Sequence, residues 1–145
     1  ADPEYEVNAS LVKPAFADAD LVRLDGLQPL LVWLDLGRTA VTDEGLEVLR
    51  EYTAITRLSL DHTNVGDAVV DVLLALPKLE MVNLFGTKLG DEGLQRLAAH
   101  PGLQRLYCAE TAVSENGVDS ARAAHPTLDI IGAPRAPAES EDAEQ

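Results

Sequence analysis

The chain reads as an α/β solenoid, a right-handed coil of short units with a parallel sheet on its concave side and short helices behind it. Three observations predict this. A 24-residue block recurs four times. Each block joins a strand-like stretch to a helical one. Only 4% of the residues are aromatic, which suits a thin core of interlocking aliphatic layers better than a globular one.

The repeat is plainest when aligned on threonine. "LVWLDLGRTAVTDEGLEVL", "ITRLSLDHTNVGDAVVDVL", "LEMVNLFGTKLGDEGLQRL" and "LQRLYCAETAVSENGVDSA" place Thr39, Thr63, Thr87 and Thr111 each 24 residues apart, with Val41, Val65, Leu89 and Val113 two positions on. That period lies in the range of solenoid units built from one strand and one short helix or 3₁₀ turn.

Taken in order, a disordered N-terminus (1–4) leads to an N-terminal capping unit (5–30). In it, "YEVNASLV" and the helix-like Leu21, Leu24 and Leu27 form a degraded unit shifted by one residue. Four full units follow (31–127). Each opens with apolar residues at its first, fourth and sixth positions: Leu31-Leu34-Leu36, Ile55-Leu58-Leu60, Leu79-Val82-Leu84 and Leu103-Leu106-Cys108. The last two of each set carry the two-residue period of a strand, and the residues between them face the other way.

After the threonine the pattern turns helical. Leu46, Val70, Leu94 and Val118, then Leu49, Leu73, Leu97 and Ala121, form the inward stripe. Thr42 or Asp43 can cap its own helix, and Asp43, Asp67, Asp91 and Glu115 suit the positive end of each helix. A C-terminal capping strand (128–134) carries Leu128 and Ile131 and ends at Gly132 and Pro134. The tail (135–145), with Glu139, Glu141, Asp142 and Glu144 and no apolar pattern, reads as disordered. Strands stack about 4.8 Å apart while helices need about 10 Å. The helix side therefore splays, and the sheet lies on the concave face.

The pattern LxxLxLxxTxVxDxGLxxL resembles the leucine-rich repeat family, with threonine where many members carry Asn or Cys. Within it the units are similar to a bacterial class with "TxVTDxGLxxL" phrases, found in envelope proteins that also carry a c-type cytochrome domain. The resemblance implies a non-catalytic protein-binding module, a docking or recognition domain of a larger envelope or membrane redox protein, placed on the periplasmic face. The residues themselves fit a cytoplasmic location equally. Haem, if any, belongs to another domain or a partner, since this chain has no CxxCH. The "DEGLxxL" phrase is also similar to the repeats of F-box proteins, which implies a substrate-receptor reading. A third alternative is a structural spacer packing against other domains of its own chain.

Strand residues facing outward form columns across the concave sheet. One reads Trp33, Arg57, Met81, Arg105; the next Asp35, Ser59, Asn83, Tyr107; a third contains Gly37, Asp61, Phe85 and Ala109. Trp, Tyr and Arg dominate binding hot spots. The expected partner-binding set is Trp33, Asp35, Arg57, Met81, Asn83, Phe85, Arg105 and Tyr107. The row Thr39, Thr63, Thr87, Thr111 is expected to be a structural ladder of hydroxyls satisfying loop backbone groups.

Composition narrows the partners. A net charge of −14, with 25 acids against 11 basic residues, repels nucleic acid and anionic lipid and favours a basic protein, a c-type cytochrome domain among them. It fits an ordinary acidic protein or one adapted to high salt. No apolar run is long enough to insert in a membrane, and the isolated domain is expected to be a monomer.

No catalytic residue, metal site or cofactor is expected. Asp61-His62 beside Arg38 and Glu110 offers a base, an acid and a cation. Such neighbours point to opposite sides of a regular strand, although this one is ending and a carboxylate–His pair can form. No nucleophile with an obvious base accompanies them. His100 and His125 both sit in "AAHP" and read as turn residues, too few per layer for zinc. Cys108 occupies a leucine slot and is expected to be buried and inert.

Overall fold

The computed structural model describes residues 4–11 and 16–132. The expected disordered ends and the last residues of the capping strand, Pro134 among them, lie outside the described residues apart from Glu4. Six strands, β1 (Tyr5–Asn8), β2 (Leu31–Asp35), β3 (Arg57–Ser59), β4 (Met81–Asn83), β5 (Arg105–Tyr107) and β6 (Asp129–Ile131), form one all-parallel sheet in chain order. From β2 to β6 every strand pairs with the residue 24 positions on, as in Trp33↔Arg57↔Met81↔Arg105↔Asp129. β1 joins with an irregularity between Tyr5 and Glu6, so that Glu6 pairs with Trp33 and Asn8 with Asp35.

Behind the sheet the connections change character along the chain. The first two are 3₁₀ helices, Asp18–Leu24 and Gly45–Glu51. The third opens as a 3₁₀ turn, Asp67–Val69, and continues as α1 (Val70–Leu74). The last two are α-helices, α2 (Asp91–Ala98) and α3 (Glu115–Ala124). The uniform helical stripe expected from the repeat is thus corrected in the first two units. Their buried residues are spaced strictly by three, as in Leu46, Leu49 and Tyr52, which one face of a three-residue turn accommodates. In α2 Ala98 is buried as well as Leu94 and Leu97, a four-residue step that the wider α turn accommodates, while Val118 and Ala121 of α3 keep the step of three.

The core is a stack of aliphatic layers. Leu34, Leu58, Val82 and Leu106 are buried under the sheet, and Leu36, Leu60, Leu84 and Cys108 form the row beside them. Val41, Val65, Leu89 and Val113 are buried at the turn beyond. Each fully buried leucine contributes about 1.5–3 kcal/mol. The layers contact mainly their neighbours, as a solenoid requires.

Asp67, Asp91 and Glu115 lie in the first turns of their helices as expected, and most of these acids have a further job. Asp18, Asp43, Asp67 and Asp91 each reach forward into the next unit. The carboxylate of Asp67 accepts the Gly90 N–H at 2.7 Å, and that of Asp43 accepts the Gly66 N–H at 3.1 Å. Asp91 accepts both the N–H and the hydroxyl of Ser114 at 2.7 Å, and Asp18 does the same with Thr42 at 2.8 and 2.6 Å. These bonds clamp consecutive units together. The glycines of the "DEG" and "ENG" phrases leave room for the clamp: a Cβ on Gly45, Gly93 or Gly117 would overlap the Asp18, Asp67 or Asp91 carboxylate. Ser114 in turn accepts the Gly117 N–H at 3.0 Å, and Thr42, as expected, accepts the Gly45 N–H at 3.4 Å, each at the start of its own helix.

Candidate functional site

The turn that ends each strand sets the rim of the concave face. The hydroxyls of Thr39, Thr63, Thr87 and Thr111 are buried, and each donates to the carbonyl three residues back, that of Leu36, Leu60, Leu84 and Cys108, at 2.6–2.7 Å. The residue before each threonine adopts a left-handed backbone: Arg38 (φ 60°), His62 (φ 55°), Gly86 (φ 73°) and Glu110 (φ 59°). Only Gly86 does so without steric cost.

Three of the column residues also help end their strands. The side-chain oxygens of Asn8, Asp35 and Asn83 accept the N–H two residues on, from Ser10, Gly37 and Phe85, at 2.8–3.0 Å. This is the local bonding by which Asx residues favour turns. Asp35 and Asn83, picked from the sequence for a partner, are therefore half-buried and partly engaged with their own backbone. Tyr107 is half-buried in the same column.

The first column is the accessible one. Trp33 is 39% exposed, and the Arg57 guanidinium lies 4.3 Å from its ring centroid. A cation this close to an indole face gains about 0.5–1 kcal/mol at an exposed site. Met81 is half-buried beside them, and the exposed Arg105 pairs with Asp129 at 3.5 Å. Over this ground opens a hollow of about 380 Å³ lined by Glu6, Asn8, Trp33, Asp35, Arg57 and Met81, among others. A second hollow of about 290 Å³ lies between Arg57 and Arg105, floored by Met81. Glu6, Asn8 and Asp129 extend the two columns at either end and were not among the residues chosen from the sequence. The shifted pairing of β1 hides Glu6 from a strict 24-residue alignment.

Phe85 stands half-buried in the third column with its ring 5.1 Å from that of His62. The left-handed turn at His62 brings its Nδ1 to 3.2 Å from the Asp61 carboxylate, so these neighbours meet where the strand ends. Ser59 Oγ donates to the same carboxylate at 2.7 Å. Burial alone would raise the Asp61 carboxyl, but the hydrogen bonds from Ser59 and His62 outweigh it and hold its pKa below the ordinary value. Both neighbours bond to Asp61 and not to each other, so the Ser59 hydroxyl is paired with a carboxylate and not with the imidazole.

The remaining candidates resolve by their surroundings. His100 is buried. Its Nε2 lies 2.8 Å from the Leu76 carbonyl of the preceding unit, and its Nδ1 accepts the Gly102 N–H at 3.0 Å. The pair of bonds assigns the neutral Nε2–H tautomer. His125 is half-buried at the end of α3. Burial pushes the Cys108 thiol up to about 11, which removes thiolate reactivity at neutral pH. Among the described residues no group of three or more His, Cys, Asp or Glu could hold a metal ion, and no helix is long and apolar enough to cross a membrane.

A stack of like units that offers a continuous curved sheet face defines the class: a repeat scaffold of the leucine-rich-repeat solenoid type. The family model described as Leucine Rich repeat matches residues 28–49 and 75–98, spanning β2 with the start of its 3₁₀ connection and β4 with α2. These matches support a leucine-rich repeat family, whose repeats generally mediate protein–protein interaction and whose members are typically non-catalytic. No curated protein matches the chain.

Proposed function

We propose that the protein is a non-catalytic binding module that takes a protein partner on its concave face, around Trp33, Arg57, Met81 and Arg105. The observation that carries this reading is the Arg57–Trp33 stack at the floor of an open hollow. An exposed aromatic held in one orientation by its neighbour loses little freedom when a partner arrives. Asp35, Asn83, Phe85 and Tyr107 shape the flank of the same surface. The net charge of −14 favours a basic partner and an association that weakens with salt. The likeness of the "TxVTDxGL" phrases to cytochrome-bearing envelope proteins supports an extracytoplasmic docking role within a larger redox protein.

The test is photocrosslinking in native cells from a reactive residue at position 33, and from one at the convex position 48 as control. Blots for the domain are read beside a stain for covalent haem. An adduct specific to position 33 is expected, and it weakens at least tenfold in the Arg57→Ala background. A haem-positive adduct supports the redox setting, and a haem-free one discards it. An adduct within the domain's own polypeptide makes the face an internal packing surface. Equal or absent adducts from both positions overturn the concave-face reading.

A further inference from the structure

We propose that the open edge of β1 is a strand-addition site for an extended, lysine-bearing segment of a partner protein. The two edges of the sheet are finished differently. At the C-terminal edge, Arg122 of α3 donates from Nη2 to the carbonyls of Ile130 at 2.8 Å and Gly132 at 3.4 Å. Those carbonyls face away from β5, because the intervening Ile131 gives its own to the Cys108 N–H. A side chain thus occupies the bonding positions a seventh strand would need.

At the N-terminal edge no such plug exists among the described residues. Tyr5 and Ala9 donate their N–H groups to Leu30 and Asp35 of the β2 side, each at 2.9 Å. Peptide groups alternate along a strand, so those of Glu6 and Asn8 face outward. Nothing among the described residues takes these positions. Three of the four β1 residues are exposed, Tyr5 by 43%. An edge left in this state templates another strand. Proteins use such edges to bind extended segments, with backbone bonds giving affinity and alternate side chains giving specificity.

Charge selects the occupant. Glu4 and Glu6 are exposed along this edge, and Glu6 forms the end wall of the concave hollow next to Trp33 and Asp35. A residue paired with Glu6 continues the column of Trp33 and Arg57, and a lysine there meets the Glu6 carboxylate. A second copy fits poorly. It would set Glu4 and Glu6 against their own counterparts, or meet the edge that Arg122 has closed.

The test uses the full chain and a blocked hexapeptide of alternating lysine and valine, followed by amide hydrogen exchange and peptide titration. Saturation is expected to slow exchange at Glu6 and Asn8 at least tenfold. The same peptide N-methylated on alternate amides, and a glutamate–valine version, should each bind at least tenfold more weakly. Glu6→Pro removes an outward N–H without removing a ladder bond and should weaken binding similarly. Glu6→Gln keeps that N–H, and should weaken the lysine peptide while leaving its protection pattern in place. Perturbation confined to Trp33 and Arg57, with Glu6 and Asn8 unprotected, overturns strand addition and leaves the concave face as the peptide's site. Equal binding of the methylated peptide overturns it as well. So does peptide-free protection that grows with protein concentration, which would make the occupant a second copy.

Discussion

The first two units and the last two carry the same sheet on different supports. Behind β2 the chain runs as a 3₁₀ helix over Gly45–Glu51; behind β4 and β5 it runs as α-helix over Asp91–Ala98 and Glu115–Ala124. From β2 onward the repeat length is 24 residues in both regions, and the strand register does not change. What differs between Gly45–Glu51 and α2 is how the space behind the strand is filled. Leu46, Leu49 and Tyr52 step by three, and Tyr52 fills the space with a ring. Leu94, Leu97 and Ala98 fill it with smaller groups from a wider turn. The concave face is thus insulated from the choice of helix behind it, because the threonine bond recurs at the end of the strand in each of the four full units.

Substitutions can break or sharpen this contrast. Tyr52→Ala should have the largest effect, about 3–5 kcal/mol, by emptying the 3₁₀ half of its one fully buried ring. Urea unfolding measures it; a loss under 1 kcal/mol would mean that the 3₁₀ stripe does not depend on that ring. Next come the clamps. Asp91→Asn should cost about 0.5–1.5 kcal/mol by weakening two bonds to Ser114 at an exposed site. Asp43→Asn, with a single 3.1 Å bond, should cost less. Equal losses would show that the second Ser114 bond contributes nothing.

The pH dependence of the Asp91 clamp has a definite sign. The hydrogen bonds from the Ser114 hydroxyl and backbone hold the Asp91 carboxyl below its ordinary value. Its contribution is therefore complete above the unfolded carboxyl value of about 3.9 and fades as the pH falls through the lower folded one. The Asp91→Asn chain should show a flatter stability curve in that acid window than the parent. Matching slopes would remove Asp91 from the acid response.

Thr39→Val and Thr111→Val should each cost about 1 kcal/mol or more, and by the same amount, since both lose one buried bond of 2.6–2.7 Å. A marked inequality would make the ladder unequal between the halves. The smallest effect is expected at Arg38→Gly. Relief of a left-handed residue, about 1 kcal/mol, is largely offset by the freedom of glycine in the unfolded chain. The melting temperature should rise slightly or hold; a fall would mean that the Arg38 side chain stabilises the rim.

Much of this was legible in the sequence because one spacing governs it. The threonine period fixes the sheet order and the register, and the register alone assigns Trp33, Arg57, Met81 and Arg105 to one column. The helix type was not legible, because Leu46, Leu49 and Tyr52 step by three just as Leu94, Leu97 and the buried His100 do. The aspartate clamps were hidden because Asp67 or Asp91 beside a helix start reads as a local cap, while its partner lies 23 residues away. Asp35 and Asn83 read as surface polar groups until their backbone bonds are seen. Arg122 over the edge of β6 depends on the last turn's path, which no repeat dictates.

The constant offset between paired residues makes the concave surface a ruler with fixed graduations. Adding or removing one whole unit would shift everything beyond it by a single strand spacing, about 4.8 Å, while each clamp still met the backbone of whatever unit came next. Distances across the face can then change only in steps. Fine adjustment of fit must come from side chains such as Met81 and Tyr107, because the backbone offers no intermediate setting.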